Sequence, residues 1–478
     1  MSSLKDKTVK GVIWSAVDRF SAQGIQFVFS ILIARLLVPE DYGVIAMLGI
    51  FMAVSQTFID SGFGTALIRK IDRTETDFST VFYFNIVVAA VFYLILFFSA
   101  PAIARFYETP LLESVTKVVA LNLIIGSLSG VHNAKLSIAI DFKSKAKISI
   151  ASTFITGAVG LWMAYAGYGV WSLVVQNLCS RAIWTLMMWI VVKWHPRWVF
   201  SWKSFKELFS FGSKLLASGL LDTVYNNLYT LIIGKVFSPS TLGVYSKANS
   251  LAQFPSSNIT SVLQAVTFPV LSSIQNEEDR LADAYKRFLK LSAFVVFPLM
   301  IGLAAVADPF IRIALTDKWE GSICLLQILC FWMMWYPIHA INLNILQVKG
   351  RSDYFLKLEI IKKIQGVLVL CITVPMGIVA MCYGSVISSI ICLVWNTYYT
   401  KRLINYGFFA QMKDLLPILI HSLIMGAIVA IVVYFMPTLW LKLIIGVLLG
   451  SVYYIAGAYL MNFPEMNELL TILKLKKK

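Results

Sequence analysis

Long apolar runs separated by short polar segments dominate the chain. A hydrocarbon core of about 30 Å is crossed by about 20 residues of α-helix, and fourteen runs reach that length. The predicted fold is therefore an all-α, polytopic membrane protein with about fourteen transmembrane helices. The predicted spans lie approximately at 11–37, 42–64, 79–104, 114–137, 148–166, 168–192, 209–234, 241–271, 288–306, 321–347, 355–375, 377–400, 415–436 and 439–462.

The composition supports this class. The 478 residues are 58% hydrophobic and only 14% charged, with a mean hydropathy of +0.76. Soluble domains carry about 25% charged residues, so a soluble enzyme, a disordered regulator and a secreted disulfide scaffold are excluded. The net charge of +16 is spread over the short segments between apolar runs. That pattern is typical of a protein facing anionic lipid, not of a nucleic-acid binder.

The basic residues also predict an orientation. They gather at the N-terminus, after the even-numbered runs and in the C-terminal tail. Only five lie in the connections on the other side, namely Arg105, Lys235, Arg312, Lys318 and Lys442. The positive-inside rule then places both termini in the cytoplasm. The longest connection on the outer side has about fifteen residues, too few to hold an extramembrane catalytic domain.

A sequence echo indicates an internal duplication. Pro39 and Gly43 follow the first run, and Pro239 and Gly243 follow the seventh at an offset of 200. Two sets of six helices are a common architecture in transporters, with the substrate site between the halves. The predicted domains are an N-terminal six-helix lobe at 1–193, an interfacial linker at 194–208, a C-terminal six-helix lobe at 209–400, and two extra helices with a basic tail at 401–478.

The linker is rich in tryptophan. Trp194, Trp198 and Trp202 recur every fourth residue among basic side chains. This favours a position along the cytoplasmic interface of the membrane. An ordinary linker with aromatic side chains is the alternative.

Polar side chains recur at helical spacing inside three runs, which is costly in lipid unless they face water or one another. The first stripe comprises Ser15, Arg19, Gln23, Gln26 and Ser30; the second Lys214, Ser218, Asp222, Asn226 and Tyr229; the third Ser246, Asn249, Gln253, Ser257, Thr260, Gln264 and Thr267, with Lys247 at its edge. A single such residue usually serves helix packing. Stripes on the leading helices of both halves favour a shared hydrated cavity.

Four cations are candidates for binding an anionic substrate group. Arg19 lies about nine residues, or roughly 13 Å, inside the first run. Its planar guanidinium suits a phosphate, although it can also reach the headgroups. Arg181 lies near the middle of the sixth run, which favours a cavity or an ion pair. Lys214 and Lys247 lie nearer the ends of their helices, so both interpretations stay open.

Three carboxylates are candidates for coupling to an ion gradient. A carboxylate in a low dielectric can take a proton or join a Na⁺ site. Asp222 lies in the middle of its stripe and is the first choice; a structural partner for Arg19 or Lys214 is the alternative. Asp60 is more typical of a helix cap, and Asp18 of a partner for a lysine at the rim.

Other signals concern helix geometry and chemistry. Pro255 and Pro269 are predicted to interrupt the eighth helix and Pro337 the tenth. No phosphate-binding loop for a nucleotide and no metal-ligand motif occurs in the sequence. We therefore expect no catalytic residue, no metal and no organic cofactor. Energy would come from a Na⁺ or H⁺ gradient, the membrane potential or mass action.

Four segments carry a family resemblance: ARLLVPEDYG (34–43), DSGFGTALIRK (60–70), FPSSNITSVLQAVTFPVLSSIQNEEDR (254–280) and AYKRFLKLSAFVVFPLMIGLAAVADPFI (284–311). They resemble bacterial polysaccharide-export flippases of the polysaccharide transporter family, within the multidrug/oligosaccharidyl-lipid/polysaccharide exporter superfamily. The resemblance covers nearly the whole chain and is weakest after residue 400.

This resemblance implies two six-helix lobes around a V-shaped cavity. It implies transfer of undecaprenyl-pyrophosphate-linked oligosaccharide from the inner to the outer leaflet of the bacterial cytoplasmic membrane, next to membrane lipids and a polysaccharide polymerase. It also implies that basic residues of the first, second, seventh and eighth helices contact the pyrophosphate. Arg19 and Lys247 fit that pattern, whereas the second run has no cation at mid-membrane depth.

Two other functions remain open. A cation-coupled multidrug antiporter has the same architecture, but a basic cavity disfavours cationic drugs. A membrane glycan polymerase would need a sizeable outer loop with arginine or acidic residues, and the sequence predicts none.

Overall fold

The computed structural model describes residues 4–60 and 62–468, with side chains before Ser21 described only at Trp14. These residues form twenty α-helices, two 3₁₀ turns (Asp317–Trp319 and Val374–Met376) and no strand. The helices are α1 (Leu4–Leu36), α2 (Pro39–Met47), α3 (Gly49–Asp60), α4 (Phe63–Arg69), α5 (Glu75–Phe106), α6 (Leu111–Val119), α7 (Leu121–Ser127), α8 (Gly130–Ile138), α9 (Phe142–Tyr165), α10 (Val170–Val192), α11 (Trp202–Val236), α12 (Pro239–Ser273), α13 (Glu278–Ala305), α14 (Ala307–Leu315), α15 (Ser322–Met333), α16 (Tyr336–Val348), α17 (Ser352–Thr373), α18 (Ile378–Ile404), α19 (Phe408–Phe435) and α20 (Leu439–Leu460).

Ten stretches of the described chain are long and apolar enough to cross a membrane, so the predicted multi-pass, all-α fold is confirmed. The predicted spans outside those ten fall on α1, α11, α12 and α17, which are all helical; the part of α1 with described side chains, Ser21–Leu36, is apolar but shorter than a span. Three of these four helices, α1, α11 and α12, are the ones that carry the predicted polar stripes. Both α11 and α12 have 35 residues and, at 1.5 Å per residue, are long enough to cross the bilayer. The count of fourteen stays a prediction.

The chain divides by its contacts into two compact units, Met1–Ser246 and Lys247–Lys478. The first unit includes α11, whose Thr223 Oγ1 lies 3.0 Å from Thr57 Oγ1 of α3. The boundary of the contact units therefore falls within α12, not in the linker at 194–208. Units defined by contact need not match lobes defined by a repeat, so the lobes 1–193 and 209–400 stay a prediction.

The helix-breaking role predicted for two prolines is wrong. Helix α12 continues through Pro255 and Pro269. Membrane helices tolerate proline because side chains and neighbouring helices can satisfy the freed backbone groups. Pro337 behaves as predicted, since the helix breaks at Met334 and Trp335 and Pro337 lies in the first turn of α16.

The linker is held to the start of α5 by a half-buried polar cluster. Trp194 is only 8% exposed, and its Nε1 donates to Glu75 at 2.6 Å, while Lys135 pairs with the same carboxylate at 2.8 Å. Trp198 and Trp202 are 93% and 67% exposed. The three regularly spaced tryptophans thus divide into one core residue and two surface residues. A membrane-interface position of the linker stays a prediction.

Lys70 makes a second connection at this end of the first unit. Its ammonium group lies 3.0 Å from Glu207 of α11 and 3.3 Å from Asp77 of α5. Burial alone would lower the pKa of Lys70, but the hydrogen bonds to Glu207 and Asp77 raise it. A charged Lys70 therefore ties the first turn of α5 to the second turn of α11.

The two copies of the sequence echo contact each other within the first unit. A Cβ atom on Gly43 would lie 1.8 Å from the backbone oxygen of Pro239, and a Cβ on Gly243 would lie 1.7 Å from the backbone oxygen of Pro39. Each glycine therefore leaves room for the proline carbonyl of the other copy. This reciprocal contact, here called the glycine clasp, is the arrangement expected of two elements related by a two-fold axis.

Replacing either clasp glycine by alanine should destabilise the protein. The obstructing atoms are backbone, which cannot rotate away, so G43A and G243A should each cost about 2 kcal/mol or more. The thermal midpoint of the purified protein in detergent, together with its abundance in the membrane, measures the effect. G64A is the control, because no atom outside its own helix lies within 4 Å of a Cβ at Gly64. Equal midpoints for G43A and G64A would contradict the clasp.

Candidate functional site

The outward face of α11 is polar along its middle. Lys214, Ser218, Asp222 and Asn226 are all exposed and follow one another at steps of four residues. Because each step turns the helix by about 40°, the four side chains lie within a sector of about 120°. The opposite side of the helix, at Thr223, packs on α3. If α11 crosses the membrane as predicted, a polar sector turned away from its packed side requires water or polar ligands beside it.

The stripe of α12 divides into a packed part and an accessible part. Thr260 and Thr267 are buried, and Asn344 of α16 donates to Thr267 at 3.3 Å. The C-terminal half of the stripe thus serves helix packing, as polar residues in membrane helices commonly do. Gln253 is exposed, and Asn249 is half-buried with its Oδ1 lacking a hydrogen-bond partner in the described part of the chain. These two therefore remain ligand-binding candidates.

Three of the charged candidates are buried or have side chains outside the described residues. Lys247 is 3% exposed. Arg19 and Asp18 lie on α1, but their side chains are outside the described residues. For these two positions the binding and coupling roles stay predictions.

Two of the predicted residues interact electrostatically in the first unit. Arg181 of α10 is exposed and acts electrostatically on Asp60, the last residue of α3. Gln56, one helical turn earlier, donates to the Asp60 carboxylate at 2.9 Å. The Arg181 guanidinium suits an anionic ligand, and the Asp60 carboxylate acts on it through the longer-range attraction of opposite charges.

A neutral cavity of about 200 Å³ opens among α1, α2, α9 and α10. It contains the predicted residue Gln26, while Gln23, three residues earlier, is half-buried. The lining is otherwise made of amides, hydroxyls and apolar side chains, namely Phe29, Ser30, Tyr42, Thr153, Thr156, Gly157, Leu173, Gln176, Asn177 and Ser180. Amides and hydroxyls both donate and accept hydrogen bonds, which suits a neutral hydroxylated ligand.

Small residues of α9 shape this cavity. A Cβ on Gly157 would lie 2.2 Å from the Phe29 ring, and a Cβ on Gly160 would lie 2.8 Å from the side chain of Gln176. Both glycines therefore make room for side chains that line the cavity. Gln26 was predicted from its stripe, whereas the polar cavity residues of α9 and α10 were not, because they do not form one continuous row along a helix.

The sequence analysis also missed a break in the fourth span, between α7 and α8. There Thr185 donates to the carbonyl of Ile125 at 3.0 Å, and Trp189 to that of Leu128 at 2.9 Å. Side chains of α10 thus satisfy carbonyl groups next to the break, as a helix inside a membrane requires. The Gly-Ser-Leu-Ser-Gly sequence beginning at Gly126 was the available signal.

The second unit contains a buried polar network that no stripe predicted. Asn342 and Gln411 exchange two amide hydrogen bonds of 3.1 Å, and Thr400 donates to Asn342 at 2.9 Å. Gln411 also donates to the hydroxyl of Tyr285 at 3.3 Å. The network joins α13, α16, α18 and α19. Its members are far apart in sequence, so their contact could not be read from helical spacing.

The fold belongs to a known class of membrane transporters. The chain is similar to the lipid II flippase MurJ in an inward closed conformation, with a TM-score of 0.77 and 16% identity over 94% of this chain and 98% of that one. It is also similar to an inward-facing multidrug resistance MATE family transporter of the MOP superfamily, with a TM-score of 0.62 and 14% identity over 82% and 100%. At these identities the similarity shows the fold.

The family is shown by the sequence itself. Residues 32–324 match the family described as "Polysaccharide biosynthesis protein", and the chain belongs to that family. It is 27% identical over 360 residues to a teichuronic acid biosynthesis protein of Bacillus subtilis, covering 74% of each chain. It is 23% identical over 488 residues to a succinoglycan biosynthesis transport protein of Rhizobium meliloti, covering 98% of this chain and 97% of the relative.

These comparisons confirm the resemblance stated from the sequence motifs. The protein is a multi-pass membrane protein of a polysaccharide biosynthesis family with a transporter fold, as predicted. The prediction of a transport protein in place of an enzyme is confirmed at the same level.

Cysteine labelling should show that the polar face of α11 is hydrated in the membrane. N226C should react with a hydrophilic maleimide in intact membranes, because that position faces water. V224C is the matched control: Val224 is 41% exposed in the structure but lies outside the polar sector, and lipid should protect it. Labelling is measured above that of the parent protein with its six native cysteines. Equal reaction of N226C and V224C would show that the face is not selectively hydrated.

Proposed function

We propose that the protein is a flippase for lipid-linked oligosaccharides. It moves undecaprenyl-pyrophosphate-linked repeat units from the inner to the outer leaflet, for assembly of a surface polysaccharide such as O-antigen, capsule or exopolysaccharide. The observation that carries the proposal is the exposed polar face of α11 in a chain of the polysaccharide biosynthesis family. A polar path through the membrane is what such a headgroup needs.

The substrate presents a two-part physical problem. Its sugars and pyrophosphate cannot enter hydrocarbon without losing their hydrogen bonds, whereas its prenyl tail is soluble there. Neutral amides and hydroxyls, such as those of Gln26, Asn226, Asn249 and Gln253, replace water around the sugars. The tail stays in the bilayer while the headgroup crosses, so the protein needs to shield only the polar end.

Basic residues supply the anion-binding part. The guanidinium of Arg181 can form paired hydrogen bonds with a phosphate, and the ammonium group of Lys214 can add a point charge. Arg19 and Lys247 are proposed for the same role from their places in the sequence. In the absence of substrate, Asp60 offsets the charge of Arg181.

A Na⁺ or H⁺ gradient is proposed to drive the cycle, with no other cofactor. Asp222 lies in the middle of the polar face and is proposed to bind the coupling ion, with Asp60 and Asp18 as further candidates. The distribution of basic residues supports a cytoplasmic-membrane protein with both termini inside. A polysaccharide polymerase that consumes the product is the proposed protein partner.

Deletion of the gene in the source bacterium tests the function. Lipid-linked repeat units, counted by mass spectrometry and assigned to a leaflet by impermeant labelling, should accumulate on the inner face while surface polysaccharide is lost. Units that reach the outer face but stay unpolymerised would indicate a polymerase instead. Unchanged units together with a new sensitivity to amphipathic cations would indicate a multidrug antiporter.

Removing either proposed anion-binding charge should impair export in the complemented strain. Loss of a charge-assisted hydrogen bond costs about 1.5–3 kcal/mol, so R181A and K214A should each lower export about 10- to 100-fold. R402A is the control, because Arg402 is equally an exposed cation but contacts Tyr398, outside the proposed site. Export by R181A and K214A at the level of R402A, with equal abundance, would remove these residues from the proposal.

A further inference from the structure

His339 occupies an interrupted membrane helix in the second unit. It lies in the first turn of α16, just after the break at Met334 and Trp335. The apolar stretch that contains it runs over Ser322–Val348, and His339 is four residues past its midpoint. An ionisable group at that depth is costly unless it has a specific task, and helix breaks at mid-membrane commonly bind ions in transporters.

The hydrogen bonds of His339 specify one neutral tautomer. Its Nδ1 lies 2.9 Å from Nδ2 of Asn396, and its Nε2 lies 2.8 Å from Oγ of Ser389. An amide nitrogen only donates, so Nδ1 accepts and the ring proton resides on Nε2. In this arrangement Nε2 donates to the Ser389 hydroxyl, and the imidazole is uncharged.

Asn396 can also stabilise a second proton on the imidazole ring of His339. Asn396 is 1% exposed, and its Oδ1 has no hydrogen-bond partner in the described part of the chain. Rotating the amide by 180° about its Cβ–Cγ bond would exchange Nδ2 and Oδ1. A proton on Nδ1 would then be donated to Oδ1, while Nε2 keeps its bond to Ser389. The same three side chains can thus hold both the neutral ring and the imidazolium.

The backbone around Asn396 is fixed by the buried network. The Thr400 hydroxyl lies 3.1 Å from the carbonyl oxygen of Asn396 and 2.9 Å from Oδ1 of Asn342, and its one proton is shared between these two acceptors. The amide of Asn396 can therefore change orientation without moving the helix that carries it. Such a preorganised pair is expected of a site that binds and releases a proton repeatedly.

We propose that His339 is a proton-binding site of the transport cycle, with Ser389 and Asn396 as its hydrogen-bond partners. This rests on the flippase function proposed above and names a proton as the coupling ion. One proton from water adds to Nδ1 and gives an imidazolium with one positive charge. The carboxylates Asp18, Asp60 and Asp222, predicted from the sequence for coupling, all belong to the first unit, whereas His339 belongs to the second.

The charged and titratable groups around His339 determine how strongly its ring binds a proton. On α17 the positive charge of Lys362 acts on His339, and Glu359 pairs with Lys362 at 2.7 Å. On α18 the thiol of Cys392 contacts Gln365, and on α13 the hydroxyl of Tyr285 joins the network through Gln411. No carboxylate in the described structure pairs with His339 itself. In this conformation only the neutral groups of Asn396 and Ser389 stabilise an added proton, so a conformation that also admits water or an anion to the ring would bind the proton more strongly.

The test uses the full-length protein in proteoliposomes loaded with labelled lipid-linked oligosaccharide. In the parent protein an imposed pH gradient should accelerate translocation. H339Q keeps a polar side chain that cannot be protonated. In this variant the rate increase caused by the pH gradient should be at least ten-fold smaller than in the parent, while translocation without a gradient is retained. H421Q is the matched control: His421 is a buried histidine of α19 whose Nε2 lies 3.1 Å from the carbonyl of Tyr454. It should respond like the parent.

A second variant should shift the pH response instead of abolishing it. N396D places a carboxylate beside Nδ1, which stabilises the imidazolium and should move the pH response by at least one unit toward alkaline pH. A purely structural role of His339 would not produce that shift, and N396D decides the matter if H339Q fails to fold. A parent-like gradient response in H339Q, or an unshifted response in N396D, would overturn the proposal.

The outcomes separate this proposal from the flippase function. Translocation by the parent protein that ignores the pH gradient would reject the proton site and leave the function standing. Absence of any translocation by a folded parent protein would reject the function and, with it, the proposal.

Discussion

The structure depends on one constraint: a polar group inside a membrane must have a partner. The hydrocarbon supplies none, so each backbone and side-chain group is satisfied by another part of the protein or by water. The break between α7 and α8 shows the constraint at backbone level, because Thr185 and Trp189 reach across from α10 to carbonyl groups beside it. A substrate can therefore bind only where polar groups are satisfied by water and not by other parts of the chain.

Partners divide the polar residues of this protein into two kinds. Thr267 of α12 and Asn342 of α16 are bonded to neighbouring helices and hold the second unit together. Lys214 and Asn226 of α11 are exposed on the side away from the helix packing of the first unit. The first kind determines the fold, and the second kind is available to a substrate. The amides and hydroxyls of the neutral cavity around Gln26 also belong to this second kind of polar residue.

Helical spacing predicted much of this from the sequence. The stripe of α11 and the glycine repeat were both read from positions along one helix or from one offset. The structure shows that the stripe is exposed and that Gly43 contacts Pro239, while the binding role and the duplication stay predictions. The network of Tyr285, Asn342 and Gln411 could not be found in that way, because it joins residues on different helices. Spacing also could not decide that Thr267 packs while Gln253 is exposed, since that depends on which neighbour each residue meets.

The most direct measurement of the central claim uses the purified protein alone. Liposomes without other proteins would carry a lipid-linked oligosaccharide labelled on its sugar, and an impermeant reagent would modify only the outer leaflet. The account predicts that adding the protein raises the fraction that becomes modified over time from about half toward completion, because headgroups cross while the vesicles stay sealed. A fraction that stays at the protein-free value, with folded protein confirmed in the same vesicles, would contradict it.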